Sequence, residues 1–323
     1  MALYVNTNVS SLNAQRKMSN VTLNLSDNYS KLASGQRINS SSDDASGFQI
    51  QDRLTGQING LNQGNRNAND GIAFLQTVDG AAGEILNNLQ RIRTLAIQSA
   101  NGTNSSADRK ALNEEASAEL IAAMANATDT TFAGAKILMG YYKTDDNCMY
   151  GDSGIGGNVE HRPGKFDLQV GANSGDVIPA TIENFFIADI AYRIKPNGGR
   201  PTIEDLSAGS LKVIEDRGTV LGMTIDISTP EKAQGAIQAM DYLIAEVDRR
   251  RGTIGSYMTR LESSIRNQSN VAENESDARA RIRDTDFASE TASFTQNQII
   301  QRAAETVLSQ ANQRPSVAAS LLK

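Results

Sequence analysis

The stretch LTGQINGLNQGNRNANDGIAFLQTVDGAAGEILNNLQRIRTLA, residues 54–96, sets its apolar side chains three and four residues apart almost without a break. Leu54, Ile58, Leu61, Asn65, Ala68, Ile72, Leu75, Val78, Ala82, Ile85, Leu89, Ile92 and Ala96 share one phase. A narrow stripe sustained for roughly six heptads predicts a long helix that packs lengthwise on another helix. Gly47, Gly56, Gly60, Gly64 and Gly71 lower helix propensity yet leave the phase intact, so they are expected to permit close helix contact. A second seam follows Pro230: Ile237, Met240, Ile244, Val247, Arg251, Ile254, Met258, Leu261 and Ile265. Arg251 is a charge on that seam and is expected to meet a carboxylate or a boundary between copies.

Outward from these seams the chain is nearly symmetric. Val5, Val9 and Leu12, then Met18, Val21, Leu25, Tyr29 and Leu32, mark an N-terminal helix whose other faces are Asn, Ser, Gln and Thr. Phe287 to Ala311 mirrors it, with Phe294, Ile300, Ala304 and Val307, and Pro315 is expected to end it. Helices so weakly apolar need partners to be stable. Between the first two helices lies QRINSSSDDASG, residues 36–47. Its serines favour a joint, and Asp43 or Asp44 can cap the helix that follows. NGTNSSAD, 101–108, stops the long helix and caps another that runs to about Asn126.

The centre changes character. KFDLQVGANSGDVI, 165–178, alternates and then turns, which reads as a strand entering a hairpin. TFAGAKILMG, 131–140, is short and glycine-bounded, and MTIDIS, 223–228, reads as a strand. Residues 143–164 and 193–201 read as loops. The predicted fold is mainly α: a long antiparallel helical bundle or coiled coil with both termini together and a small central subdomain containing a β-hairpin.

Composition narrows function. The 323 residues carry a net charge of −6, which disfavours a nucleic-acid partner held by a basic field. No window has the length of a membrane span, and MALYVNTNVSSLNAQRKM lacks the layout of a cleaved signal peptide. There is one cysteine, Cys148, and one histidine, His161. Cys148 sits in DDNCMYGD among acids that oppose thiolate formation, and His161 in a loop. DDNCMYGD and NANDG lack the ligand spacing of a calcium loop, and GDSGIGGN that of a dinucleotide loop. No catalytic, cofactor or metal residues are expected.

These segments resemble bacterial flagellin. The N-terminal likeness includes Leu32, Ser34, Gly35, Arg37, Ile38, Asn39, Ser40, Asp43, Asp44, Ala45 and Gly47, then RNANDGIAFLQTVDGA (66–81) and LQRIRTLAIQSANGTNS (89–105). TFAGAKIL and LQVGANSGD follow, then IRDTDFASE (282–290) and SQANQRP (309–315). The resemblance implies a structural subunit that self-assembles into the flagellar filament, or, as the alternative, a hook–filament junction protein. It implies an inner core domain of 1–46 and 282–323, disordered in the monomer. An outer core of 47–178 and 223–281 and a short variable region of 179–222 complete it. Val5, Val9, Leu12, Val21, Leu25, Leu32, Phe294, Ile300 and Val307 would line the polymer core, with Asp43 and Asp44 at the spoke between domains.

The same resemblance implies secretion through the flagellar type III channel to an extracellular filament. The partners would be further copies of the chain, an export chaperone held by Val307, Leu321 and Leu322, and filament cap and hook-junction proteins. A host Toll-like receptor would read Leu89, Arg91, Leu95, Gln98 and Glu115, although Thr94 replaces an acid often found in that motif. A metallopeptidase insert, known in some relatives, would need more than one histidine.

Overall fold

The computed structural model describes residues 7–139, 141–142, 151–152, 161–193, 209–216 and 219–320. Among these residues six helices dominate: α1 Val9–Ser34, α2 Ala45–Ala100, α3 Ser106–Asp129, α4 Ile187–Arg193, α5 Pro230–Arg283 and α6 Phe287–Ser320. Packing divides the chain into one unit of residues 1–59 with 270–323 and another of residues 60–269. Helices α2 and α5 contribute to both.

In the 60–269 unit, α2 and α5 run antiparallel. Arg93 pairs with Asp241, Arg251 with Asp79, and the Asn65 amide reaches the Ser269 hydroxyl, so partners step in opposite directions. The seam between them is dry. Ala68, Leu75, Val78, Ala82, Ile85, Leu89, Ile92 and Ala96 meet Ala233, Ala236, Met240, Leu243, Val247, Ile254 and Leu261 in one buried cluster. Ala116, Leu120, Ala123 and Ala127 of α3 join it at the same three-and-four spacing. Alanine at so many facing positions lets the axes approach without a thick aromatic core.

Polar hooks fix the far ends of these helices. Arg109, almost fully buried, donates to the carbonyls of Ser99, Asn101 and Asn104. A guanidinium there satisfies acceptors that the end of α2 leaves open and complements its dipole. Ser105 and Asp108 form a reciprocal capping box at the start of α3. The Ser99 hydroxyl donates to the Ile227 carbonyl and the Asn113 amide oxygen accepts from the Ile227 N–H. Burial opposes ionisation of Asp226, yet hydrogen bonds from Lys232 and Ser228 hold its pKa at about 2.

The strands are short and antiparallel. β1 Thr131–Phe132 and β2 Ala135–Lys136 turn through Ala133 and Gly134, both at positive φ as a two-residue hairpin loop requires. β3 Tyr141–Tyr142 pairs with β5 His161–Arg162, and β4 Gly151–Asp152 with β6 Gly164–Gln169. β6 also pairs with β7 Val177–Ile182 from Gly164↔Ile182 to Gln169↔Val177, the hairpin foreseen in 165–178. Phe74 of α2 stands edge-on to Phe132 and Phe166, so three of the few aromatics meet at one point.

The structure departs from the sequence reading in the centre. Residues 143–164, read as loops, contain β4 and β5 among the described positions. MTIDIS is a strand only to Ile225; β9 spans Thr219–Ile225 and pairs with β8 Leu211–Asp216, which alternation in one segment could not reveal. Helix α4 is too short for its period to register and is buried nearly all round, through Ile187, Ala188, Ile190 and Ala191. Cys148 lies outside the described residues, as does the side chain of His161.

Three glycines of α2 chiefly make room for the hairpin rather than for a helix, although Gly64 also lies close to Gln268 of α5. A Cβ on Gly60, Gly64 or Gly71 would meet Ala172, the Val170 carbonyl or the Leu168 side chain, so this face admits the β6–β7 hairpin. At Gly64 it would lie 1.9 Å from the Val170 oxygen, a backbone atom that cannot swing aside. The free edge of β7 is guarded as well. Pro179 opposite Asp167 cannot donate to β6, so the odd-numbered N–H groups of β7 face outward. Val177 donates to Gly175 and Thr181 to the Tyr257 hydroxyl, leaving no free donor on that edge for a second strand.

Two outcomes follow for this unit. Gly64→Ala forces the hairpin off α2 and costs about 1–3 kcal/mol, read as a lower urea midpoint with unchanged slope. Arg251 faces Asp79 with two hydrogen bonds, at 2.7 and 3.2 Å, within a single chain. Both partners are about one-third exposed, so Arg251→Leu lowers the unit's own stability by at most about 1 kcal/mol, measured by the same melt.

Candidate assembly interface

In the other unit, α1 and α6 lie antiparallel along their length. The α1 side chains turned inward are Ser11, Ala14, Met18, Val21, Leu25, Asn28 and Leu32, spaced three and four apart throughout. On α6 they are Glu290, Phe294, Asn297, Gln301, Ala304, Leu308 and Ala311, with the same spacing. Each helix therefore presents a heptad seam, but polar side chains interrupt it, Ser11 and Asn28 on α1 and Glu290, Asn297 and Gln301 on α6. Ser11 donates to Asn312 at 2.6 Å. Asn28, 7% exposed, donates to the Glu290 carboxylate and accepts from the Asn297 amide at 2.7 Å. Tyr29 stands edge-on to Phe294 with centroids 4.7 Å apart.

The seam positions leave much of the apolar material outside. Val9, Leu12, Leu23 and Tyr29 on α1, and Phe287, Ile299, Ile300 and Val307 on α6, are exposed. Leu12 keeps 57% of its surface in water and Val307 keeps 56%. Of the nine side chains predicted for a polymer core, Val21, Leu25, Leu32 and Phe294 are half-buried in the helix pair. Val9, Leu12, Ile300 and Val307 point away from it, and Val5 lies outside the described residues.

Pro315 does not end α6, which continues to Ser320. Proline lacks the N–H that would serve the Ala311 carbonyl one turn back. The Asn8 side-chain amide donates to that carbonyl instead, at 2.7 Å. The oxygen of the same amide accepts from Ser11 N–H and caps the start of α1. A residue from the opposite end of the chain therefore stands in for the missing bond.

The connectors beside this pair are laced together through backbone groups. Arg37 N–H donates to Arg283, Thr285 N–H donates to Gly35, and the Arg37 guanidinium reaches the Ile282 carbonyl. Gly35 takes φ +70°, the left-handed turn that closes α1. The two acids of the joint have different tasks. Asp44 caps α2, accepting from Ser46 and Gly47 N–H. Asp43 turns back on the loop and accepts from Asn39 and Ser40 N–H. A Cβ on Gly47 would strike the Asp44 carboxylate and Ile38, so the joint's close packing favours glycine there. Asp286 caps α6 in the same manner, through Ala288 and Ser289 N–H.

Residues 5–143 match the family model for the bacterial flagellin N-terminal helical region, and residues 237–322 match that for the bacterial flagellin C-terminal helical region. The chain belongs to the bacterial flagellin family. It is 37% identical to Flagellin A of Vibrio cholerae over 383 aligned residues and 34% identical to Polar flagellin C of Vibrio parahaemolyticus over 384. In both cases all of this chain and all of the relative are covered. Among solved structures, Bacillus cereus flagellin aligns over 63% of this chain and 88% of its own, at 23% identity and a TM-score of 0.40.

The five residues expected to meet an immune receptor divide by burial. Leu89 and Leu95 sit at 0% and 1% exposure in the α2–α5 core. Arg91 and Glu115 are exposed and paired with each other, and Gln98 is exposed. Only the polar three are available to a partner on the folded surface. Of the side chains assigned to a chaperone, Val307 is exposed, while Leu321 and Leu322 lie outside the described residues. Among the described residues no group of three or more His, Cys, Asp or Glu is placed to hold a metal ion, and no helix is long and apolar enough to cross a membrane.

The sequence reading passed over Asn8, Asn28, Leu23 and Ile299. Asn28 carried a signal, since it falls at the three-and-four spacing of Val21, Leu25 and Leu32 and only its polarity concealed it. Asp43 offers a pH test of the joint. The N–H groups of Ser40 and Asn39 hold its carboxyl below the usual range. Its contribution is therefore complete above the ordinary carboxylate pKa of about 3.9, and it fades as pH falls through the lowered value. The amide proton shifts of Asn39 and Ser40 should titrate below about pH 3.9, and Asp43→Asn should abolish that step.

Proposed function

We propose that the chain builds the flagellar filament through the outward faces of α1 and α6, which bury on neighbouring copies. That the protein is a flagellin, a structural subunit of the bacterial flagellar filament, follows from its family. The observation that carries the finer reading is the exposed apolar side chains on two helices whose shared seam is interrupted by polar residues toward both ends. Burying a Leu, Ile, Val or Phe contributes about 1.5–3 kcal/mol. Val9, Leu12, Leu23, Phe287, Ile299, Ile300 and Val307 then represent far more stabilisation than the hydrogen bonds within the pair, at about 0.5–1.5 kcal/mol each.

The work is mechanical. Copies stacked through such helices transmit torque, and small shifts between them change the helical form. The weakly apolar ends gain their structure in the polymer, which supports disorder of residues 1–46 and 282–323 in the monomer. The filament lies outside the cell. Passage through the type III channel suits ends that fold only on arrival, and a chaperone over Val307 would shield the stripe beforehand. Cap and junction proteins would meet the same faces at the filament's ends. Exposed Arg91, Gln98 and Glu115 offer a polar contact to a host receptor.

The test is seeded polymerisation followed by negative-stain microscopy. The full chain should extend filament seeds, and a version lacking residues 1–40 and 285–323 should not. Leu12→Gln with Val307→Gln should slow extension at least about tenfold, corresponding to about 1.4 kcal/mol. The melting of residues 60–269 should not change. Extension at the parental rate by either altered chain would refute the assignment of assembly to these helices.

A further inference from the structure

We propose that Asn28, with Glu290 and Asn297, fixes the register in which α1 and α6 pair, and through it the form of the polymer. This rests on the assembly reading above and adds to it the residue that specifies the arrangement. Asn28 occupies a seam position between Leu25 and Leu32, where a larger apolar residue would pack better and discriminate less. A single asparagine within a heptad seam gives up stability and selects the arrangement in which its amide is satisfied.

Here both ends of the amide are committed. Its nitrogen donates to the Glu290 carboxylate and its oxygen accepts from Asn297, one on each side of Phe294. The polar pairs Ser11–Asn312 and Asn8–Ala311 at the other end lie at the same antiparallel offset to within a turn. One heptad of slip in one direction sets Asn297 against Met18 and Val21 and brings Asn28 to Phe287, burying unmatched amides. The opposite slip carries Glu290 past Ser34, the last residue of α1. The remaining α1 seam, Ala14, Met18, Val21 and Leu25, is apolar and carries no hydrogen-bonding preference of its own. Either slip also breaks Ser11–Asn312, Asn8–Ala311 and the Arg37–Arg283 and Thr285–Gly35 connector bonds, and at the Phe294 end of the buried seam the discrimination falls to Asn28 and its two partners.

The outward stripes give this choice its consequence. Leu12 and Leu23 are aligned with Val307 and Ile299 by the register alone. A slipped pair presents a different apolar surface to the neighbouring copy. Asn28 is thus a positioning residue: it is buried within the α1–α6 pair, and it decides which outward surface the pair presents.

The decisive experiment moves the charge across the seam. Asn28→Asp opposes two carboxylates, and extension of parental seeds should fall at least about tenfold. Adding Glu290→Gln restores the bond with donor and acceptor exchanged, while Asn297 still donates to position 28. Extension should then return to within about threefold of the parent. Asn28→Leu should extend seeds but give filaments of mixed helical form. The melting of residues 60–269 should be the same in every variant, which separates register from misfolding. Normal extension by Asn28→Asp, absence of rescue by the second substitution, or uniform parental filaments from Asn28→Leu would overturn the proposal. Failure of the parental chain to extend its own seeds would overturn the assembly reading, and that result needs no variant to be seen.

Discussion

The seam between the two terminal helices is interrupted by polar residues toward both ends, and the organisation of this unit depends on that constraint. An apolar seam of equal length would let α1 and α6 satisfy themselves and leave little for a neighbour. With Ser11, Asn28, Glu290 and Asn297 turned inward, the pair is specified more than it is stabilised. Leu12, Leu23, Ile299 and Val307 remain outside, where only another surface can remove them from water. Hydrogen bonds supply direction and the hydrophobic effect supplies magnitude, and the chain places them on opposite faces of the same helices.

Residues 60–269 solve the opposite problem. Their α2–α5 seam is continuous Ala, Leu, Ile, Val and Met, supplemented by α3, and is dry for most of its length. That core needs no second copy. Its polar groups act at the ends: Arg109 on the last carbonyls of α2, and Ser99 and Asn113 on Ile227. Glycine has a specific use in this unit. Gly60, Gly64 and Gly71 give up helix propensity so that a hairpin can lie against α2 closer than any Cβ permits. The hairpin's outer strand is in turn closed to pairing by Pro179 and the Tyr257 hydroxyl. That closed edge removes one route by which a sheet of this kind could pair with another copy.

What the sequence disclosed follows from the range of each signal. Sustained periodicity located α2 and α5, because dozens of residues repeat one phase. It also gave both terminal helices and the joint between α1 and α2. It missed α4 and β8, whose signals are shorter than a period or depend on a distant partner. It found the glycines of α2 but not the hairpin that Gly60, Gly64 and Gly71 admit, since a gap in a helix surface does not reveal what fills it. The polymer-core side chains were picked by apolar spacing and given that role by the family resemblance. That criterion mixes residues such as Leu25, turned into the pair, with residues such as Leu12, turned out of it, because two stripes only a few residues apart overlap in a linear reading. Leu89 and Leu95 were assigned to a surface by motif, yet the seam that defines α2 already placed Leu89 in the core.

Pro315 shows how the two ends of the chain become one object. A proline inside a helix costs about 3 kcal/mol or more, partly through the carbonyl it leaves unserved. That carbonyl belongs to Ala311 and is taken by Asn8, whose same side chain begins α1. The last turns of α6 are thus complete only where the first turn of α1 is formed, and the cap of α1 is held in place by α6. Each helix lowers the cost of the other, so partial folding at one terminus gains little without the opposite terminus. Such mutual dependence favours two states, both ends unformed or both paired, over the half-folded intermediates that would expose the apolar stripes on a single helix.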